Sequence, residues 1–333
     1  MKFQDLVWIE RNRLSQGALS ESPDHQFAIL HVPNSKQLNR YCNIMPFSNN
    51  RIRLHVPESH NDYINASPIV LKSRKTGIKT KYIAMQGPKE TSANHVWHMI
   101  WHELESPAVI VMLTETHEAG QEKCFQYYPK GVDSAPLVVN ERDEFGDGFR
   151  ATVQCVEEES TVEGSAIELR KFVVRVDGKK EEKIIYHLLY TKWPDFGVPA
   201  GEDLDSFFKL MELSREKNSN PNNPRIIHCS AGVGRSGTFI SLEHLMSELQ
   251  VGALNPKDGQ DTAEDDPVFS TVNALREQRT SMVQSEIQYC FIYKVLRRLW
   301  EQNHPGTARL GEMSYGEPTA KVAKHHELDD VFS

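Results

Sequence analysis

A cysteine and an arginine stand six positions apart at the two ends of a run of small residues, from Cys229 to Arg235. Small side chains let the backbone N–H groups of such a loop converge, and the helix expected after the loop adds the positive end of its dipole. Both effects stabilise a thiolate at Cys229, which is the nucleophilic form of cysteine. The planar guanidinium of Arg235 can donate to two oxygens of one anion. The segment therefore predicts an oxyanion-binding loop, suited to phosphate, with a built-in nucleophile.

The Cys-to-Arg spacing alone does not separate this chemistry from a small buried cysteine at a strand end, which is the usual state of free cysteines. The complete string resembles the signature loop of the classical protein tyrosine phosphatases: His228-Cys229-Ser230-Ala231-Gly232-Val233-Gly234-Arg235-Ser236-Gly237. Further segments resemble that family, in the family's order: Asn39-Arg40-Tyr41, Asn61-Asp62-Tyr63-Ile64-Asn65-Ala66-Ser67, Gln86-Gly87-Pro88, Lys123-Cys124-Phe125-Gln126-Tyr127, Trp193-Pro194-Asp195 and Gln284-Ser285-Glu286-Ile287-Gln288-Tyr289. The resemblance covers about residues 39–296 and extends to the small, single-domain, non-receptor members, including those of fungi.

The resemblance implies hydrolysis of phosphotyrosine through a phosphocysteine on Cys229, with Arg235 holding the phosphate. Asp195 corresponds to the general acid that protonates the departing tyrosine oxygen. It lies on a loop with Pro and Gly that could close over bound substrate, and Trp193 is expected to pack at the hinge of that loop. Ser236 could donate to the sulfur of Cys229 and ease its departure, and it could equally cap the following helix.

Hydrolysis of the phosphocysteine needs a positioned water, and Gln288 resembles the family's water-orienting glutamine, with Gln284 beside it. A neutral amide can accept from water and donate to phosphate without adding charge. Tyr41 resembles the residue that lines a deep substrate slot, too deep for phosphate on Ser or Thr. Asn43 stands where the family often has Asp to hold the substrate backbone, which puts any strong preference for basic peptide flanks in doubt.

Supporting roles follow from the same resemblance. Glu118 and Lys123 align approximately with a loop that contacts the signature arginine and the acid loop, although both could be ordinary exposed charges in a Gly-containing turn. His228 is expected to support the nucleophile. The loop residues expected to bind phosphate alongside Arg235 are Ser230, Ala231, Gly232, Val233 and Gly234.

Strand-like and helical patterns must position these groups. Strands are expected at 108–114, 136–140, 150–156, 166–176 and 183–192, and a further buried strand from Arg225 should precede a helix that starts near Ser236. Apolar positions recur at helical spacing in 204–211, 269–275 and 287–299. With the resemblance, this pattern predicts an α/β (α+β) fold in which a twisted mixed β-sheet is flanked by helices.

One catalytic domain is expected over residues 1–300, because no Pro/Gly/Ser linker interrupts it. Residues 1–20 are predicted to form a helical cap, with Phe3, Leu6, Val7 and Ile9 near one face. Residues 252–266 are predicted to be a solvated acidic loop, followed by a helix with Pro267 in its first turn. Residues 301–333 are predicted to be a partly disordered tail.

The charge and the residue spacing of the chain limit the classes of molecule that it is expected to bind. A formal net charge of -8 opposes broad attraction to nucleic acid or anionic lipid, and the longest strongly apolar run is too short for a membrane span. The five cysteines form no CxxC pair, and the 14 histidines show no metal-binding spacing, so free thiols, no metal and no cofactor are expected. We expect a monomeric protein of the cytoplasm or nucleus whose partners are phosphotyrosine-containing proteins.

Three alternatives remain open. A domain of this fold could keep the pocket and lose turnover, serving as a phosphotyrosine-binding module. A dual-specificity or lipid phosphatase would share the Cys-to-Arg spacing but is not expected to carry Asn39-Arg40-Tyr41 with Gln284 and Gln288. A metal-dependent phosphatase would need a cluster of carboxylates and histidines to hold two ions.

Overall fold

The computed structural model describes residues 2–20, 22, 24–29, 35–160, 166–194, 197–218, 220–255 and 266–304. Within these ranges the helices are α1 (Lys2–Leu19), α2 (Ser35–Leu38), α3 (Ala93–Glu103), α4 (Leu204–Lys217), α5 (Gly234–Gln250), α6 (Pro267–Arg276) and α7 (Glu286–Asn303). The strands are β1 (Ala66–Lys72), β2 (Lys79–Met85), β3 (Ala108–Met112), β4 (His117–Glu118), β5 (Gln121–Glu122), β6 (Leu137–Val139), β7 (Ala151–Ser160), β8 (Ile167–Val176), β9 (Glu182–Tyr190) and β10 (Arg225–His228).

Eight strands form one mixed sheet in the order β1-β2-β10-β3-β9-β8-β7-β6, and β4 and β5 form a separate hairpin. Strand β10 runs parallel to both of its neighbours, β2 and β3, and β3 runs parallel to β9. The remaining pairs in the large sheet are antiparallel. The twisted mixed sheet flanked by helices, predicted from the sequence, is confirmed.

The strand that leads to Cys229 lies in the middle of this sheet. All four residues of β10 are buried, which explains why its sequence does not alternate between apolar and polar residues. Side chains of adjacent strand residues point to opposite faces. Ile227 accordingly packs into the core that contains residues of α4 to α7, whereas Ile226 packs into the core on the opposite face, with residues of α3.

The predicted strands at 108–114, 136–140, 150–156, 166–176 and 183–192 correspond to β3, β6, β7, β8 and β9, and the helical stripes lie in α4, α6 and α7. Strands β1 and β2 and helix α3 were not predicted from the sequence. The helix predicted in residues 1–20 is α1, which extends over Lys2–Leu19 and buries Phe3 and Leu6. Ile9 is only partly buried, and Glu10 takes the buried position beside it.

Two predicted boundaries need comment. Helix α7 continues through Asn303, so the first three residues of the predicted partly disordered tail, Glu301–Asn303, are helical. Residues 305–333 of that predicted tail, and residues 256–265 of the predicted acidic loop, lie outside the described residues. The assignment of residues 1–300 to one catalytic domain remains a proposal. In the described part of the chain, no helix has the length and apolar character needed to cross a membrane.

Candidate active site

The loop between β10 and α5 contains Cys229 at its start. Helix α5 begins at Gly234, two residues before the expected start, so Arg235 belongs to its first turn. Gly232 has φ +71°, and a Cβ at this position would lie 2.0 Å from the carbonyl oxygen of Met85. The loop therefore passes so close to the end of β2 that only glycine fits at position 232.

Two donors reach the sulfur of Cys229, which is 4% exposed. The backbone N–H of Gly232 donates to Sγ at 3.3 Å, and the hydroxyl of Ser236 donates to it at 3.4 Å. Both donors therefore meet the atom that is predicted to attack phosphate. The structure thus brings Ser236 and the loop backbone to the predicted nucleophile.

Arg235 is held by a buried carboxylate. Its Nη1 and Nη2 atoms donate to the two oxygens of Glu118 at 2.5 and 2.8 Å, and Nη1 also donates to the carbonyl oxygen of Leu113 at 3.0 Å. Burial raises the pKa of Glu118, but the hydrogen bonds and charge of Arg235 outweigh it, so the pKa lies below its usual range. Glu118 is therefore not a free surface charge but the partner of Arg235.

A second arginine, which the sequence analysis did not identify, fixes the loop from behind. Arg279 is fully buried and donates to the carbonyl oxygens of Gly232 at 2.9 Å and Ala231 at 3.2 Å. Because a trans peptide points its C=O and N–H in opposite directions, each contact turns the following N–H away from Arg279. For the Ala231 peptide, that N–H is the one that meets the sulfur of Cys229.

Arg279 is itself held by two side chains from the region before β2. It donates to Asn65 Oδ1 at 2.8 Å and to Ser67 Oγ at 3.1 Å. Burial lowers the pKa of Arg279 to about 10, so it stays a cation at neutral pH. The sequence does not distinguish Arg279 as a buried residue. It follows Arg276 by three positions at the end of a helix, and arginines with this spacing are also typical of exposed helices.

Tyr41 lies next to the loop. Its hydroxyl is 2.8 Å from Ser230 Oγ, and Ser230 in turn donates to the carbonyl oxygen of Lys123 at 2.9 Å. Tyr41 is partly buried, whereas Asn43 is exposed. Lys123 is buried, contrary to the possibility that it is an exposed turn charge. Tyr41, which is predicted to line the substrate slot, is therefore in direct contact with the loop between β10 and α5.

The two predicted glutamines meet at the start of α7. Gln288 is buried, and its Oε1 accepts from the backbone N–H groups of Gln284 at 3.0 Å and Ser285 at 3.3 Å, which forms a capping box with Ser285. A Cβ on Gly234 would lie 3.1 Å from Nε2 of Gln288. The amide of Gln288 is thus packed against the start of α5, at the end of the loop of residues 229–233, which we call the anion loop. Gln284 is exposed.

His228 supports the loop from beneath. It is fully buried, its Nε2 is 2.9 Å from the hydroxyl of Tyr127, and its Nδ1 is 3.3 Å from the carbonyl oxygen of Cys229. Burial lowers the pKa of His228 to about 4 and raises that of Tyr127 well above its usual range. Tyr127 therefore donates to a neutral imidazole, which in turn donates to the backbone of the nucleophile.

The predicted general acid, Asp195, lies outside the described residues. Its neighbour Trp193 is buried, donates from Nε1 to the carbonyl oxygen of Gly197 at 3.0 Å, and meets Phe207 edge to face. The hydrogen bond to Gly197 joins the residues on either side of positions 195 and 196. The hinge-packing role of Trp193 stays a prediction. Within the described ranges, no group of three or more His, Cys, Asp or Glu residues is placed to hold a metal ion.

Comparisons with known proteins identify relatives of this chain. A family model described as "Protein-tyrosine phosphatase" matches residues 35–298. Tyrosine-protein phosphatase 2 of Schizosaccharomyces pombe is 37% identical over 298 residues, which are 89% of this chain and 38% of the relative. Tyrosine-protein phosphatase 1 of the same species is 33% identical over 304 residues, 90% of this chain and 50% of the relative. The chain thus spans half or less of the length of these curated relatives.

Solved structures agree with the sequence matches. The catalytic domain of human protein tyrosine phosphatase non-receptor type 18 is similar with a TM-score of 0.70 and 25% identity, over 90% of this chain and 95% of that one. PTPN18 in complex with HER2-pY1196 phosphopeptides is similar with a TM-score of 0.70 and 26% identity, over 90% of this chain and 92% of that one.

Proposed function

This chain belongs to the protein-tyrosine phosphatase family, and we propose that it hydrolyses phosphotyrosine in proteins through a covalent phosphocysteine on Cys229. The observation that carries the proposal is the environment of the sulfur. Cys229 lies at the start of a strand-loop-helix anion site and receives hydrogen bonds from Gly232 and Ser236. A thiolate held in this way can attack a bound phosphate without prior transfer of a proton to a base.

In the first step the thiolate attacks phosphorus, the bond to the tyrosine oxygen breaks, and the carboxylic acid of Asp195 gives its proton to that oxygen. Arg235 and the backbone N–H groups of residues 230–235 hold the phosphate oxygens. Glu118 keeps the guanidinium of Arg235 in one plane, because a bidentate pair fixes both position and orientation. Positioning and electrostatic stabilisation supply most of the catalysis in phosphoryl transfer.

In the second step water attacks phosphorus, the sulfur–phosphorus bond breaks, and the proton of the water goes to the Asp195 carboxylate. Gln288 is proposed to orient this water, with Gln284 nearby. Oε1 of Gln288 already accepts two backbone N–H groups, so Nε2 of Gln288 can donate, while Oε1 of Gln284 is the acceptor for the water. These two atoms would lie 3.1 and 3.3 Å from a Cβ on Gly234, beside the loop that carries the phosphate. The hydrogen bond from Ser236 eases departure of the sulfur as a thiolate.

The contact between Tyr41 and Ser230 supports the proposed substrate class. A tyrosine ring at the rim adds depth to the site, so that a phosphate on a short Ser or Thr side chain would not reach Cys229. The peptide complexes of PTPN18 support phosphotyrosine proteins as partners. Exposed Asn43 is proposed to meet the substrate backbone as a neutral hydrogen-bonding group. A monomer, and the absence of nucleic-acid partners, remain predictions.

The test compares two peptides of identical sequence, one with phosphotyrosine and one with phosphoserine, in a phosphate-release assay on wild-type protein, Cys229→Ser and, as a control, Cys290→Ser at an exposed position. Wild type and Cys290→Ser should hydrolyse only the phosphotyrosine peptide, and Cys229→Ser should bind it without turnover. Binding without hydrolysis by wild type would favour the phosphotyrosine-binding alternative. Comparable hydrolysis of both peptides would favour dual specificity.

A further inference from the structure

The turn of residues 281–285, just before α7, has an unusual backbone. Ser281 has φ 60° and Val283 has φ 57°, a left-handed conformation that residues other than glycine rarely adopt and that a β-branched valine adopts least readily. Such a conformation persists only where the surrounding contacts hold it. The turn ends at Gln284 and Ser285, whose N–H groups both donate to the side chain of Gln288. Its conformation therefore decides where Gln288 sits.

Buried groups hold the turn from two sides. Arg276 donates from Nε to the carbonyl oxygen of Met282 at 3.0 Å and from Nη2 to that of Val283 at 2.9 Å. On the other side, the N–H of Val283 donates to the carbonyl oxygen of Val233 in the anion loop at 3.1 Å. The turn is thus connected directly to the loop that carries Cys229.

Glu10 of α1 completes this arrangement. It is 8% exposed, its Oε2 accepts from Nη1 of Arg276 at 3.1 Å, and its Oε1 accepts from the backbone N–H of Ser281. A buried carboxylate loses its hydration, which only good pairing and hydrogen bonds offset. Here one carboxylate holds both the arginine that clamps the turn and the first residue of the turn.

Glu10 lies outside residues 35–298, the part of the chain that the family model matches. We propose that Glu10 is a positioning residue for the second step, in which the phosphocysteine is hydrolysed. It fixes the 281–285 turn and, through the turn, the amides of Gln284 and Gln288 beside Gly234. The proposal rests on the proposed function and on the roles assigned there to Gln284 and Gln288, and it gives Glu10 a task beyond the packing of α1 as a cap.

The test is pre-steady-state kinetics with p-nitrophenyl phosphate, in which the first turnover reports formation of the phosphocysteine and the steady state reports its hydrolysis. Because a small misplacement of a catalytic group has large effects on rate, Glu10→Gln should lower the steady-state rate about tenfold and leave the burst rate within about twofold. The matched control is Lys2→Gln. Lys2 is also on α1 but pairs with Asp266, at the opposite end of α6 from Arg276.

A double variant separates positioning from general damage. If Glu10 acts through the turn on Gln284, Glu10→Gln should slow the second step no further in a Gln284→Ala background, which removes the amide but keeps the contacts of the turn, since the effects of coupled residues do not add. If Glu10→Gln does not fold, Glu10→Asp keeps a charge beside Arg276 while withdrawing the carboxylate from Ser281, and it should show the same selective slowing. Melting temperatures of all variants check the fold.

Equal slowing of the burst and the steady state, or additive effects in the double variant, would overturn the proposal. So would wild-type kinetics in a folded Glu10→Gln protein. Failure of the wild-type protein itself to hydrolyse p-nitrophenyl phosphate would instead refute the proposed function, so the two failures are distinguishable.

Discussion

The carboxylate of Glu118 and the guanidinium of Arg235 form a two-point ion pair, with N···O distances of 2.5 and 2.8 Å. Both side chains are about nine-tenths buried. In a buried pair, loss of one partner leaves the other charge uncompensated and free to seek new contacts. Glu118 therefore fixes the orientation of Arg235, the arginine proposed to bind phosphate.

Glu118→Gln should lower kcat/KM for a phosphotyrosine peptide by about tenfold or more, because Arg235 loses the charge that orients its fork. Steady-state kinetics measures the loss, and a thermal melt confirms folding. Glu115→Gln, at an exposed position in the same region, is the matched control and should stay within about twofold of wild type. A folded Glu118→Gln protein with wild-type kcat/KM would show that other contacts suffice to orient Arg235.

Gly232→Ala should abolish most activity and destabilise the protein, since its Cβ would lie 2.0 Å from the carbonyl oxygen of Met85 and force the anion loop off β2. Gly178→Ala is a close control, because Gly178 has a similar φ of +74° but no atom within 4 Å of the added Cβ. It carries the same backbone strain, about 1 kcal/mol, without the clash. Equal activity in the two variants would contradict the close approach. Activity assays and urea denaturation measure both effects.

Most of the chemical groups could be predicted from sequence, because short strings of defined composition specify them. Cys229, Arg235 and Ser236 lie within one decapeptide, and its β-strand and helix neighbours have clear apolar patterns. The roles of Arg279 and Glu10 could not be predicted in this way. Each acts by meeting backbone atoms far away along the chain, and no local pattern distinguishes such a buried charge from an exposed one.

The same limit applies to the fold. Strands β7 to β9 follow one another and pair with their sequence neighbours, so their apolar patterns were sufficient to predict them. Strand β1 contains Pro68 and pairs with a β2 whose first half is lysine-rich and exposed, features that weaken a strand signal. Strand β2 also pairs with β10, which lies far away along the chain, and local propensity does not reveal such a pairing.

The stability of the protein should fall as the pH drops below about 6.5, in part because of His228. Its pKa is about 4 when folded and 6.5 without burial, so the unfolded chain binds a proton that the folded protein refuses between these values. Relative to wild type, the drop in unfolding free energy from pH 7.5 to pH 5 should be about 2 kcal/mol smaller in His228→Gln. Urea denaturation at the two pH values measures it. Other buried histidines are common to both proteins, and an unchanged drop would mean that His228 can be protonated in the folded state.

The rate of hydrolysis should peak on the acid side of neutrality, because the mechanism needs an ionised Cys229 and a protonated Asp195 together. Asp195→Ala should lower kcat by about two to four decades and flatten the alkaline limb of the profile. A series of kcat measurements from pH 4.5 to 8.5 tests this. An unchanged alkaline limb in the variant would assign the proton to another residue.

The position of β10 has a consequence for how the chain acquires its structure. Among the described residues β10 is the last strand in sequence, yet it lies between β2 and β3, which precede it by more than a hundred residues. A growing chain that has not yet reached Arg225 has two unpaired strand edges in the middle of its sheet, and such edges readily pair with those of other molecules. The nucleophile follows directly on the strand that closes this gap. A chain that stops short of β10 therefore lacks both Cys229 and the strand that closes the sheet, and its open edges make it prone to aggregate.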